Sequence, residues 1–145
     1  MPEKETLERA EKDKEEGKAA STQAGEFVRE EIEHIREGKH GARSTKQAIA
    51  IGLSKARRAG VDLPPPQTGS EQTRRQAARD VKKGKKKSGK KSAKRSRATS
   101  RALKREGRSA ASKRALSRQA RSAARKRSAV SRSRSAKKAA RTRKK

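Results

Sequence analysis

The C-terminal half of this sequence concentrates cationic side chains at a density suited to binding polyanions. Residues 70–145 contain 32 Lys and Arg against 3 Asp and Glu, and their net charge of +29 equals that of the whole 145-residue chain. Phosphate neutralisation by such a segment releases condensed counterions, so the affinity for duplex DNA falls steeply with salt. The segment has no aromatic residue to stack on bases, which disfavours base-specific and single-strand recognition. We therefore expect phosphate contacts without sequence readout.

The cations expected to contact phosphate lie in a lysine-rich block and in the Arg/Ser/Ala-rich sequence after it. They are Lys82, Lys83, Lys85, Lys86, Lys87, Lys90, Lys91, Lys94, Arg95, Arg97, Arg101, Lys104, Arg105, Arg125, Lys126, Arg127, Arg132 and Arg134. A secondary set, Lys46, Arg57 and Arg58, lies on a predicted helix nearer the N-terminus. Cations in a last helical turn also complement the helix dipole. A DNA-reading helix-turn-helix is disfavoured, because it normally has a shorter turn and a third supporting helix.

Residues for catalysis or metal binding are few. The chain has no Cys, and nothing in the sequence fixes a Ser beside His34 or His40, the only two histidines. Glu30 and His34, four residues apart, could bind a divalent ion, but no third ligand follows at a matching spacing. We expect no enzymatic activity, no metal ion, no cofactor and no small-molecule ligand.

Composition limits how much of the chain can fold. Hydrophobic residues make up 27% of the sequence, and Phe27 is the only aromatic residue. Burial of so little apolar surface cannot offset the ordering entropy of the whole chain. We expect one very small folded unit with disordered segments. There is no secretory signal and no apolar run of the roughly 20 residues that a membrane span needs, so a cytoplasmic protein without membrane contact is expected.

The sequence predicts an all-α fold built on a helical hairpin. Its first helix, about 21–37, begins at Ser21 as N-cap and ends at Gly38. Apolar residues at helical spacing share one face of this helix, and carboxylates including Glu30 line the other face, which we expect to be exposed. Glu31 falls inside the apolar face, so it needs a cationic partner.

The second helix of the predicted hairpin spans about 45–59. It begins with a capping box of Ser44 and Gln47 and ends at Gly60. A loop of about six residues joins it to the first helix, which favours antiparallel packing. Small residues four apart on one face would allow close approach of the two helices, namely Ala48, Gly52 and Ala56.

Charge and turn residues divide the chain into four segments. Residues 1–20 form an acidic, marginal helix, and 21–63 form the hairpin. The composition of residues 64–80 is typical of a Pro/Gly/polar linker. Residues 81–145 are a Lys/Arg/Ser/Ala-rich tail, expected to be disordered or conditionally helical, because its charges repel one another while its Ala, Arg and Lys favour helix.

Two resemblances extend these expectations. The stretches MPEKETLERAEKDKEEGK and STQAGEFVREEIEHIREGKHGARSTKQAIAIGLSKARRAGV, within about residues 1–66, resemble a small bacterial family of unknown function whose members carry basic C-terminal extensions. That resemblance implies no activity and no site residues. The tail is similar in composition to histone H1-like nucleoid proteins of bacteria.

Together these features predict a non-enzymatic, nucleoid-associated protein that coats or compacts DNA largely without sequence preference. RNA or ribosome association is the alternative in the same class, since the electrostatic term is common to both nucleic acids. A different alternative is a protein-interaction module, the hairpin, localised by the tail. The small apolar stripe of the hairpin also suggests homodimerisation. The acidic head, residues 1–20, could in addition compete with nucleic acid for the tail.

Overall fold

The computed structural model describes residues 1–86 and 91–144. Every regular element within these residues is a helix. The α-helices are α1 (Lys4–Glu15), α2 (Ala20–Arg36), α3 (Thr45–Arg58), α4 (Glu71–Lys85), α5 (Ala93–Lys104), α6 (Lys113–Lys126) and α7 (Ala129–Arg143), and a 3-10 turn, Ser109–Ala111, precedes α6. The predicted all-α class is confirmed. None of these helices is both long and apolar enough to cross a membrane.

Helices α2 and α3 form the predicted antiparallel hairpin. Near one end, Ala24, early in α2, and Phe27 pack in a cluster with Ala56, close to the end of α3. Near the other, Ile32 and Ile35 pack with Ala48, close to the start of α3. Early residues of one helix therefore meet late residues of the other. Phe27 is 1% exposed and Ile35 is fully buried, so this interface contains the largest buried apolar side chains.

Glycine at position 52 sets the distance between α2 and α3. A Cβ atom built on Gly52 would lie 2.6 Å from Cα and 2.9 Å from the backbone nitrogen of Val28, closer than non-bonded atoms approach. Ala48 and Ala56, one turn to either side, are both fully buried. The stripe of small residues thus lets the backbones of the two helices touch, as its spacing predicts.

Of the four residues predicted to begin or end α2 and α3, three have the predicted role. Gly38 and Gly60 follow α2 and α3 with positive φ angles of 79° and 99°, which glycine adopts without strain. The Ser44 hydroxyl accepts a hydrogen bond from the Gln47 amide at 3.2 Å. The prediction of Ser21 as the N-cap of α2 is wrong, because the helix already includes the residue before it and has no side-chain cap.

The N-terminal segment, predicted to be a marginal helix, is α1, and it packs on α2. Ala10 lies in the cluster of Phe27, and Thr6 is buried. The Glu3 amide donates a hydrogen bond to Glu30 Oε2 at 3.0 Å. The prediction that Glu30 lies on a solvent-facing side of α2 is therefore wrong, since α1 covers that side.

The segment predicted as a linker, 64–80, becomes helical at Glu71. The Ser70 hydroxyl accepts a hydrogen bond from the Thr73 amide at 3.2 Å and caps α4. Helix α4 packs against α3 and buries Ala77 and Asp80. Only the first part of the predicted linker, which contains three consecutive prolines, is extended chain or turn.

The prediction of a disordered basic tail is not borne out in the part of the tail that the structure describes. Helices α5, α6 and α7 begin after Ser92, Ser112 and Ser128, whose hydroxyls each accept a hydrogen bond from the amide three residues ahead. Such caps satisfy a free backbone donor, and Ala, Arg and Lys favour helix. Charge repulsion by itself favours an open chain, but the regular placement of these serines and the high helix propensity oppose it.

The tail docks on the hairpin through hydrogen bonds to its loop. Between α2 and α3, the Gly41 amide donates to the carbonyl oxygen of Leu103 at 2.9 Å. The next amide, that of Ala42, donates to the carbonyl oxygen of Gly107 at 3.0 Å. These two bonds hold the loop of the hairpin against the end of α5 and the residues that follow it.

The 3-10 turn continues this docking into the core. The Thr45 hydroxyl donates a hydrogen bond to the carbonyl oxygen of Ala110 at 2.7 Å. Ala110 and Ala111 are buried in the cluster of Ile32 and Ile35, and the partly buried Leu116 of α6 packs against the same cluster. Small apolar residues of the tail therefore complete the core at this end of the hairpin.

The apolar stripe of the hairpin is consequently covered within one chain. Helices α1 and α4 and the turn at Ser109–Ala111 lie against α2 or α3. The large apolar residues that remain exposed among those described are Met1, Leu7 and Val130. The predicted homodimer depends on an exposed stripe, so the structure removes that argument for it.

Replacing Gly52 with Ala tests the close contact of α2 and α3. We expect Gly52→Ala to destabilise the protein by about 1–3 kcal/mol in urea unfolding, because the added methyl group forces the helices apart. Gly25, an exposed residue of α2 whose added Cβ would meet no atom within 4 Å, is the control. Gly25→Ala should stabilise by about 0.5–1 kcal/mol through helix propensity. Stabilisation by both substitutions would contradict the tight interface.

Candidate nucleic-acid interface

Cationic side chains form stripes along the tail helices. In α5, cations follow one another at intervals of three or four residues, at Lys94, Arg97, Arg101 and Lys104. In α6, a second stripe consists of Arg114, Arg118, Arg121 and Arg125. Residues at this spacing lie on one face of a helix. The first three residues of the α6 stripe are absent from the cations predicted to contact phosphate, although their spacing is a readable helical signal.

The predicted phosphate-contacting residues of the tail are at the surface. All of those that the structure describes are exposed, from Lys82 to Arg134. Lys87 and Lys90 belong to the same prediction and lie outside the described residues. Arg127 is exposed and also donates hydrogen bonds to the hydroxyls of Ser131 and Ser135 in α7.

Little negative charge stands near these cations. Glu106 is the only carboxylate side chain in residues 91–144. This segment attaches to the hairpin through backbone hydrogen bonds, alanine packing and hydrogen bonds that Thr45 and Arg36 donate to its carbonyl oxygens, and none of these uses a cation of the α5 and α6 stripes. Docking therefore leaves the cationic stripes available to an external anion.

The carboxylates of the N-terminal helices form ion pairs with cations of the same region of the chain. Arg9 pairs with Glu26 at 2.7 Å, and Lys18 pairs with Asp13 at the same distance. Hydrogen bonds from Lys18 to Asp13 and Glu16 raise the pKa of its ammonium group. Each described carboxylate of α1 and α2 that forms an ion pair does so with a cation located before residue 59. These ion pairs give no support to competition between head and nucleic acid for the tail.

The secondary set of predicted phosphate contacts divides in two. Lys46 is exposed on α3. Arg57, in contrast, is only 8% exposed, and its guanidinium donates to the backbone carbonyl oxygens of Leu63 at 3.2 Å and Pro64 at 3.3 Å. Burial lowers the pKa of Arg57, partly offset by the charge of Asp80. Arg57 holds the chain after α3, so the prediction of a phosphate contact is wrong for this residue.

Arg58 connects α3 to α4 through a buried carboxylate. Its Nε donates to Asp80 Oδ1 at 2.8 Å, and about half of the Arg58 side chain remains exposed. Asp80, 1% exposed, also accepts hydrogen bonds from the Ser54 hydroxyl at 2.7 Å and the Gln76 amide at 3.2 Å. Asp80 lies in α4, and its donors Ser54 and Arg58 lie in α3, so this carboxylate holds α4 against α3.

A second polar cluster is buried beneath the N-terminus. Glu31, 1% exposed, meets Lys55 Nζ at 2.7 Å and His40 Nε2 at 2.9 Å, so the prediction that it needs a cationic partner is confirmed. Lys55 also lies 3.4 Å from Glu30. His34 and His40 come together with their ring centroids 6.1 Å apart. Helical spacing pairs His34 with Glu30 and does not predict that His40 lies next to His34 and Glu31, because His40 belongs to the loop after α2.

Comparison with known proteins gives a match of one segment to a family model and no activity. Residues 12–67 match the model of a family of unknown function, DUF6496. This segment runs from within α1 through α3 to just beyond the prolines, and the match confirms the resemblance to an uncharacterised family. No curated protein and no solved structure matches the chain significantly.

Substitution of Asp80 tests the attachment of α4 to α3. We expect Asp80→Asn to lower the free energy of unfolding by about 1–3 kcal/mol, because an amide cannot accept all three hydrogen bonds and carries no charge for Arg58. Amide hydrogen exchange in α4 should accelerate. Glu71→Gln, which removes an exposed carboxylate paired with Arg75 on the same helix, should change stability by less than about 0.5 kcal/mol. Equal effects of the two substitutions would argue against the role of Asp80.

The Glu30 carboxylate predicts a loss of stability in acid. Burial by itself raises the pKa of Glu30, but hydrogen bonds from the Glu3 amide and Thr6 and the charge of Lys55 outweigh it and hold the pKa below the usual 4.5. The stabilisation is complete above pH 4.5 and disappears as the pH falls through the lower pKa of the folded state.

Glu30→Gln should therefore be less stable than the unmodified protein at pH 7 and lose less further stability on acidification. Chemical denaturation at a series of pH values measures both effects. Glu33→Gln, which changes a half-exposed carboxylate of the same helix, should retain the original pH dependence. A Glu30→Gln protein with an unchanged pH profile would show that this carboxylate is not the source of the acid sensitivity.

Proposed function

We propose that this protein binds duplex DNA through the phosphate backbone, largely without sequence preference, and coats or compacts it as a nucleoid-associated protein. The supporting observation is the set of exposed cationic stripes on α5 and α6, in a segment whose only carboxylate side chain between residues 91 and 144 is Glu106. No catalytic step is part of this proposal.

Helical stripes suit phosphate contacts better than isolated charges do. With a rise of about 1.5 Å per residue, a stripe from Lys94 to Lys104 extends over roughly 15 Å. Double-stranded DNA carries one negative charge per about 1.7 Å of its axis, so a stripe of this length faces several phosphates. Because the helices are already formed, binding costs less ordering entropy than it would for an open chain.

Binding is expected to be insensitive to sequence. The stripes present Arg and Lys among Ser and Ala, and they carry no Asn, aromatic or acidic side chain. Phosphate contacts position a protein on nucleic acid, whereas contacts to base edges provide specificity. Cations spaced along a helix can meet phosphates wherever the helix lies on the duplex, so no base sequence is favoured.

Helices α1 to α3, the folded head, support the basic helices that are proposed to bind DNA. Helix α4 is fixed to α3 by Asp80, and the chain around residues 103–116 is fixed to the loop and to the Ile32 cluster. The basic helices therefore leave the head at defined places. DNA is proposed as the partner because a duplex presents regular rows of phosphates to preformed helices, and RNA is kept as an outcome of the test.

Neutralising the α6 stripe tests the proposal. Arg114, Arg118, Arg121 and Arg125 are replaced together by Gln, and affinity for a short labelled DNA duplex is measured by fluorescence anisotropy over a range of salt concentrations. The slope of log affinity against log salt should become shallower by about 3–4, close to 0.9 for each phosphate that the variant no longer neutralises. Circular dichroism checks that α6 remains helical.

A matched control replaces four exposed cations of the head, Lys4, Lys12, Lys14 and Arg29, by Gln. This variant has the same net charge as the α6 variant, and it should keep the salt slope of the unmodified protein. If the salt slope became equally shallow in both variants, net charge would explain the effect, and this result would contradict an interface on α6. Tighter binding to an RNA duplex would favour the RNA-associated alternative. Absence of binding to either nucleic acid would favour a protein-interaction module.

A further inference from the structure

We propose that Glu31, His34 and His40 form a binding site for a divalent transition-metal ion such as Zn²⁺. Each of the three residues offers one ligand atom, and these atoms all lie within 4.8 Å of one another. Imidazole nitrogens together with a carboxylate oxygen are a donor set that suits Zn²⁺ and its neighbours in the first transition series. The site is separate from the cationic stripes of the proposed function.

The position of the three ligands follows from the hairpin. Glu31 and His34 are three residues apart in the last turns of α2, a spacing that directs both toward one side of the helix. His40 comes from the loop that follows. That loop is held by the hydrogen bonds from Gly41 and Ala42 to the tail, so the backbone next to His40 is fixed. Glu31 is almost completely buried, and the two imidazoles are 14% and 15% exposed, which leaves access for a small ion.

The hydrogen bonding of His40 provides a second, independent argument. Its Nδ1 is 3.0 Å from the carbonyl oxygen of Gly41, and its Nε2 is 2.9 Å from Glu31 Oε1. Both oxygens are acceptors, whereas a neutral imidazole has one N–H group to donate. When Nδ1 carries the proton and donates it to the Gly41 carbonyl, Nε2 and Glu31 Oε1 offer two adjacent lone pairs to a metal ion.

The surroundings match the outer shell that is usual for metal sites. Histidine ligands usually donate their other ring N–H to a backbone carbonyl or a carboxylate. Gly41 supplies the carbonyl for His40, and Glu3 Oε1 lies 2.8 Å from Nε2 of His34. Three protein ligands leave a fourth tetrahedral position for water.

Lys55 determines which oxygen of Glu31 is free to act as the ligand. Its Nζ lies 2.7 Å from Glu31 Oε2, whereas Oε1 faces His40. One oxygen is therefore next to a fixed cation, and the other is directed to the histidines.

The chain contains only two histidines, which allows a direct test on the unmodified protein. Full-length protein without a histidine tag and free of nucleic acid is titrated with Zn²⁺ and followed by NMR of the imidazole C–H signals. We expect both histidines to shift together and to saturate at one Zn²⁺ per chain, and isothermal titration calorimetry should give the same stoichiometry. Unmoved imidazole signals at millimolar Zn²⁺ would overturn the proposal and leave the cluster as a set of polar contacts only.

Variants then assign the ligands. His34→Gln and His40→Gln should each weaken Zn²⁺ binding by about tenfold or more. Glu33→Gln, on the same helix but outside the cluster, should bind as the unmodified protein does. Zn²⁺ should raise the melting temperature of the unmodified chain and of Glu33→Gln but not that of the double variant His34→Gln/His40→Gln. Equal Zn²⁺ affinity in the unmodified protein and the double variant would also overturn the proposal.

Discussion

The direct contact between the backbones of α2 and α3 at Gly52 is the constraint on which the rest of the structure depends. With no side chain at this position, Val28 lies against the α3 backbone, and Ala48 and Ala56 extend the contact. This close spacing brings Lys55 of α3 within reach of the two glutamates on α2. It also brings together the short apolar side chains that form the core, which a wider separation would leave with voids between them.

Charge is distributed so that the head is internally neutralised while the tail is not. Carboxylates of α1 and α2 pair with nearby Lys and Arg, and buried Asp80 pairs with Arg58. The tail attaches through backbone hydrogen bonds to the loop of the hairpin, packing of Ala110 and Ala111, and hydrogen bonds that Thr45 and Arg36 donate to its carbonyl oxygens. An anion can therefore approach the stripes of α5 and α6 without first breaking internal ion pairs.

Local features of this structure were predictable from the sequence, whereas features that depend on distant segments were not. The predicted ends of α2 and α3 lie within one residue of the observed ones, because the Ser44 cap and the glycine stops after both helices act through neighbouring hydrogen bonds. The need of Glu31 for a cation follows from its place in an apolar face. Predictions that concern long-range packing are weaker: Glu30 is covered by α1, Arg57 is buried by the chain that follows α3, and Glu71 starts a helix inside the expected linker. Each of these depends on a segment that returns to the hairpin.

The sequence by itself determined the helical class, the hairpin and the segregation of charge, since periodicity, capping and charge density are properties of adjacent residues. Tertiary structure alone decided which faces are covered and which polar groups meet. Helical spacing places His34 beside Glu31, but His40 approaches them only because the loop folds back over the end of α2, and that loop is held by residues more than 60 positions away. Such contacts arise from the balance of burial and loop closure over the whole chain, which no local spacing records.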